Sequence, residues 1–193
     1  MHDKMTKIDR YIDIRLRPHP DFAETHLMNA LFSKLHFGLV RINSEGIGVS
    51  FPEVNTLRPS LGACLRLHGY PEALEALFTK DWMVGMHDHV LLGSMACVPA
   101  SSSYRYVRRA QAKSSPERMR RRQMKRHNLN EEQACARIPQ SVARRLSLPY
   151  LTLPSRSTGQ TFRLFIDHVV AQAPATGHFN AYGLSGSATV PWF

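Results

Sequence analysis

The sequence predicts an α+β fold in two parts, and three patterns carry that prediction. Short stretches of alternating apolar and polar residues recur in the first half, the period of half-buried strands. Between them Leu27, Leu31, Leu35 and Leu39 repeat every four residues beside Met28 and Phe32, the stripe of an amphipathic helix. Past Pro99-Ala100-Ser101-Ser102-Ser103 the apolar residues thin out, and Arg and Lys crowd in from Arg105 to Arg126. A domain boundary is placed there.

Taken in order, Tyr11-Ile12-Asp13-Ile14-Arg15-Leu16-Arg17 alternates as a strand, and Pro18 and Pro20 end it. A helix follows from Asp21 onward. Gly46 to Phe51 is a short strand, Pro52 to Pro59 a polar turn, and Ala63 to His68 a further alternating strand. Pro71 to Phe78 is a helix with proline in its first turn, and His89-Val90-Leu91-Leu92 a fourth strand. The order β-α-β-β-α-β over residues 10–98 is the ferredoxin-like split motif, which many unrelated proteins share. Residues 99–193 form a smaller domain. In it a basic helix spans about 116–127, and Asn130-Glu131-Glu132-Gln133 opens a second helix as a capping box that Pro139 closes. Three strand-like segments follow, Tyr150 to Leu153, Phe162 to Ile166 and Phe179 to Leu184, and they predict a short antiparallel sheet.

The chain has 193 residues, enough for one domain or two small ones. Its 25 Lys+Arg against 15 Asp+Glu give a formal charge of +10, which favours a polyanionic partner. No apolar run approaches the ~20 residues of a membrane span, and the polar leader, residues 1–9, lacks the apolar core of a secretory signal. A cytoplasmic protein with a flexible leader, no membrane and no obligate homo-oligomer is expected. Cys64, Cys97 and Cys135 match no zinc or CxxC spacing; each is expected to be a small buried apolar residue. No metal and no cofactor are expected.

Ser115-Pro116-Glu117 supplies a cap, a first-turn proline and a first-turn acid. At ~100° per residue, Arg118, Arg121, Arg122, Lys125 and Arg126 fall within an arc of roughly 140°, flanked by Met119 and Gln123. Solvated faces usually interleave both signs, and this one does not. The opposite side lacks the large apolar residues that enter lipid. Nucleic acid is the better partner. The deep major groove of A-form RNA excludes a helix, so a duplex partner would be short or end in a loop, as a hairpin does. Upstream, Arg109 and Gln111 sit two apart on an extended segment, and such side chains can pair with guanine and adenine edges.

RNA carries its own nucleophile, the ribose 2′-OH. Cutting it without metal needs a base for that proton, a group to hold the ribose and support for the phosphate. A histidine of ordinary pKa suffices as base. His36, in Ser33-Lys34-Leu35-His36-Phe37-Gly38-Leu39, interrupts the apolar end of the first helix; the alternative is an imidazole that favours a helix C-terminus. The serines of Ser155-Arg156-Ser157-Thr158-Gly159-Gln160 are also ordinary turn residues, and Tyr182 an ordinary strand aromatic.

Together these segments resemble the CRISPR-associated endoribonucleases of subtype I-F, the Csy type, which process precursor CRISPR RNA. The resemblance runs from about Tyr11 to Val190-Pro191-Trp192-Phe193. It is carried by Tyr11 to Pro18, Gln111-Ala112-Lys113-Ser114, Ser157-Thr158-Gly159-Gln160 with Phe162 to Ile166, and Tyr182-Gly183-Leu184-Ser185. It implies a ferredoxin-like domain plus a smaller one with an arginine-rich helix. It also implies metal-independent cleavage at the 3′ base of a repeat stem-loop, leaving a 2′,3′-cyclic phosphate and a 5′-OH. By the same resemblance the protein stays on the mature guide RNA beside other subunits of a type I-F ribonucleoprotein complex.

Residue by residue, the resemblance makes His36 the general base and Ser155 the serine that holds the ribose, with Ser157 its neighbour. Tyr182 orients the histidine or the substrate. Phe162 stacks on the closing base pair, and Arg109 and Gln111 read base edges low in the stem. Arg118, Arg121, Arg122, Lys125, Arg126 and His127 lie along the stem. Lys125 departs from the family's usual arginine, keeping the charge and losing the bidentate fork. The rival readings are a catalytically silent hairpin-binding subunit, which would share every basic feature, and a DNA-binding protein of the same fold.

Overall fold

The computed structural model describes residues 8–111, 116–138, 147–155 and 159–193; Ser115, Pro139, Ser157 and most of the leader lie outside them. The described residues form two compact units. One comprises those up to Arg109 together with those from Leu148 onward, the other those from Ala110 to Ser147. The fold is mixed α+β, with two sheets and four α-helices among the described residues.

In the first unit β1 (Arg10–Leu16), α1 (Glu24–Ile42), β2 (Gly48–Ser50), β3 (Cys64–Gly69), α2 (Pro71–Phe78) and β4 (Val90–Leu92) follow one another. The strands order as β2-β3-β1-β4, each neighbour antiparallel. The alternation read in the sequence is met in β1, where Ile12, Ile14 and Leu16 are buried. They face Leu27, Leu31, Phe32, Leu35 and Leu39 of α1 and the buried Leu74 and Leu77 of α2 in one apolar core. β3, read as alternating, does not alternate in burial: all six of its residues are buried. On its second face Arg66 holds Asp13 through two hydrogen bonds of 2.6 and 2.8 Å and lies 3.9 Å above the ring of Phe193.

Beyond β4 a two-residue strand, β5 (Ala96–Cys97), continues along the same edge of β1. Tyr11 to Ile14 on β1 face Ala96 back to Leu92, one residue more on the outer side, which is a bulge. Cys97, expected to be buried, is exposed at this short edge, and Cys135 is half-buried; only Cys64 is in the core.

The second sheet orders as β7-β8-β6-β9, from β6 (Ser103–Ala110), β7 (Tyr150–Pro154), β8 (Thr161–Ala171) and β9 (Val190–Trp192). Two differences from the sequence reading stand out. The first part of the basic run is a strand, because Tyr106 and the buried Val107 fall between Arg105 and Arg108. Residues 179–184 are a turn rather than a strand. The Asn180 side chain accepts from the backbone of Tyr182 and Leu184, and Gly183 takes φ +69°, a conformation that strands exclude.

In the second unit α3 (Pro116–His127) packs on α4 (Glu131–Arg137). The capping box forms as the sequence predicts: Asn130 Oδ1 accepts from Gln133 N, and Gln133 Oε1 from Asn130 N.

Candidate functional site

α1 runs on to Ile42, where Asn43 takes a left-handed φ of 49°. His36 therefore lies between one and two turns before the helix end, beyond the last turn where a helix terminus favours an imidazole. Its placement has another cause. Asn29, Ser33 and His36 fall at helical spacing beside the buried stripe and are half-buried. His36 faces the 180–184 turn: its Nδ1 lies 2.7 Å from the carbonyl oxygen of Ala181. A carbonyl only accepts, so Nδ1 carries the proton, and in the neutral ring Nε2 holds the free lone pair.

The same turn delivers Tyr182, whose ring stacks on the imidazole at 4.0 Å between centroids with planes 7° apart. Phe32, one turn before His36, is also parallel to Tyr182, at 6.3 Å. The turn is tied down outside itself. Phe179 N donates to Glu45 O at 2.9 Å, Val49 N to Gly183 O at 3.0 Å, and Ser185 N to Val107 O at 2.9 Å.

Ser155 is the first residue past β7, half-buried. Its N–H donates to Gln160 O at 2.7 Å and its carbonyl accepts from Gly159 N at 2.8 Å, closing the hairpin into β8; Ser157, in the same loop, lies outside the described residues. Three residues back the Thr152 N–H donates to Asn29 Oδ1 at 2.9 Å. The strand β7, which leads into Ser155, is thus fastened to the margin of α1 that carries His36, two turns further along. Phe162 pairs with Leu153 across the hairpin and packs against the core. The Arg109 guanidinium lies 6.0 Å from its ring centroid, within cation–π range. Gln111 follows just after β6, exposed, in the second unit.

On α3 the side chains of Arg118, Arg121, Arg122, Lys125 and Arg126 are exposed, while Met119, Arg120, Gln123 and Met124 are half-buried. Those two sets occupy opposite sides of the helix, so the cationic arc read in the sequence is the side turned away from α4. His127 falls outside that arc by angle and is exposed as the last helical residue. Arg120 has a separate task, which the count of basic residues conceals: its Nε donates to Ile138 O at 2.9 Å, at the C-cap of α4.

The structure brings His36 to Tyr182, Phe162 to Arg109, and the five α3 cations onto one face. What sequence reasoning missed is Asn180, which stands in Asn180-Ala181-Tyr182-Gly183 as a turn signal, Asn followed by a positive-φ glycine.

These features define a basic α+β protein equipped for a nucleic-acid partner. The family described as CRISPR-associated protein (Cas_Csy4) matches residues 11–193. Two relatives share the printed name CRISPR-associated endonuclease Cas6/Csy4. That of Pseudomonas aeruginosa (strain UCBPP-PA14) is 52% identical over 187 residues, spanning 96% of this chain and all of the relative. That of Escherichia coli (strain UTI89 / UPEC) is 43% identical over the same span of both. The chain belongs to the Csy4 family of CRISPR-associated proteins.

Proposed function

We propose that this protein is an endoribonuclease that binds the repeat stem-loop of precursor CRISPR RNA and cuts at the 3′ base of the stem without metal. The observation that carries the reading is His36, whose Nδ1 is committed to Ala181 O and whose Nε2 is left to take a proton. In the proposed step Nε2 removes the 2′-OH proton, O2′ attacks the adjacent phosphorus, and the P–O5′ bond breaks. The products are a 2′,3′-cyclic phosphate and a 5′-oxygen that gains a proton. Ser155 holds the ribose beside Ser157, and Tyr182 fixes the plane of the imidazole. Phe162 stacks on the closing base pair, and Arg109 and Gln111 read base edges. Arg118, Arg121, Arg122, Lys125, Arg126 and His127 follow the stem.

The division of labour follows the sequence: residues 10–98 supply the base, and 99–193 the RNA grip and the serine. The antiparallel order β2-β3-β1-β4 with α1 and α2 supports reading the first domain as ferredoxin-like. In the cytoplasm the protein remains on its product as a subunit of a type I-F guide complex. The test is a labelled repeat hairpin incubated with the protein in EDTA, beside the same hairpin with a 2′-deoxy residue at the cut. Cleavage of the first alone, to a cyclic phosphate, is expected. Tight binding with no cut of either would support the catalytically silent hairpin-binding subunit; cleavage of the deoxy hairpin would end the 2′-OH mechanism.

A further inference from the structure

We propose that Asn180 is a positioning residue for His36, one that sets which imidazole nitrogen carries the proton; the functional consequence rests on the reading of His36 as base. A lone histidine on a helix margin has no reason to hold one tautomer, and exchange between the two would leave Nε2 protonated, unable to accept, for part of the time. The Ala181 carbonyl prevents this, and the methyl side chain of Ala181 has no hydrogen-bonding group with which to place its own carbonyl. Asn180 places it. Its Oδ1 accepts from Tyr182 N at 2.8 Å and from Leu184 N at 3.2 Å, while its backbone N–H donates to Leu184 O at 2.9 Å and its carbonyl accepts from Gly183 N at 2.8 Å. Four bonds from one residue thus close the turn on both sides of Ala181 and Tyr182. Gly183 completes it at φ +69°, where an added Cβ would stand 2.6 Å from Val49 Cγ1. Asn180 itself is exposed, so its side chain adds little to the core; what it organises is the carbonyl on His36 Nδ1 and the ring on its face.

The experiment reads the His36 tautomer in the full-length protein by long-range ¹⁵N–¹H NMR at about pH 8. Hairpin affinity and single-turnover cleavage are measured on the same samples. Wild type is expected as the Nδ1–H form. Asn180→Ala should mix the tautomers and slow cleavage on the order of 10- to 100-fold at nearly unchanged hairpin affinity. Asn180→Asp keeps the acceptor for both N–H groups and should restore the tautomer and the rate. Asn180→Ser, a weaker acceptor, should fall between, and carries the comparison with Asp if the alanine variant does not fold. An unchanged Nδ1–H tautomer in Asn180→Ala, or in Asn180→Ser where alanine fails, overturns the proposal. A shifted tautomer with an undiminished rate upholds Asn180's hold on the ring and instead removes His36 from the chemistry.

Discussion

His36 and Tyr182 are separated by 146 positions and meet as stacked rings at 4.0 Å, and the hydrogen bond beneath them goes to a backbone carbonyl. No side-chain pattern could show that bond, since any residue at 181 offers the same oxygen. The histidine was legible only as a polar break in an apolar helix, and the resemblance to a family singled it out. Tyr182 was legible as an aromatic but was placed on a strand, because the alternation of 179–184 concealed the turn chemistry of Asn180 and Gly183. The observed contact of Tyr182 with His36 is made by its ring. Tyr182→Phe should therefore keep most of the cleavage rate, while Tyr182→Ala should lose on the order of tenfold or more by freeing the imidazole. Single-turnover rates check this, and equal losses in both variants would shift the role to the hydroxyl.

Among the elements, α3 was the most legible. Its basic arc, its start at Pro116 and the capping box after it all stand in the sequence, because capping and helical period are local. Two short strands were not: β5 and β9, of two and three residues, exist through pairing with β1 and β6, which no local pattern encodes. Arg122→Ala with Arg126→Ala should weaken hairpin binding and flatten its salt dependence, each lost phosphate contact removing roughly 0.7–0.9 from the log–log slope. Affinity titrated across salt concentrations measures it, and an unaltered slope takes α3 out of the interface. In β2, Gly48 has no room for a side chain: a Cβ would meet Val190 Cγ1 at 2.6 Å and Phe179 at 2.7 Å. Gly48→Ala should cost about 1–3 kcal/mol by overpacking, read as a lower urea midpoint at an unchanged m-value.

At the scale of the whole molecule, two histidines outside the candidate site are expected to make stability fall in acid. His68 is fully buried, with Nε2 2.8 Å from Ser50 Oγ, and burial pushes its pKa down to about 3. His168, between Phe51 and Trp192, is pushed down to about 4, chiefly by burial and then by the nearby Arg105. Both are neutral in the folded protein near pH 7. The unfolded chain protonates them near the ordinary histidine value, so below about pH 6.5 protons bind the unfolded chain first. The stability they allow is complete above that value and is lost as pH falls toward 4, roughly 2 kcal/mol each by pH 5. Urea midpoints at pH 7 and 5 should show the drop, and a flat profile would mean that these rings take up protons without unfolding. Composition announced the basic character of the molecule, yet it could not say which of ten histidines would be buried, because burial follows from long-range packing. The most direct test of the central claim sets wild type beside His36→Ala on one labelled repeat hairpin in EDTA, with affinity measured in parallel. A single cut by wild type, slowed about 10²–10⁴-fold in the variant at equal hairpin affinity, is the predicted result; equal cleavage by both proteins would contradict it.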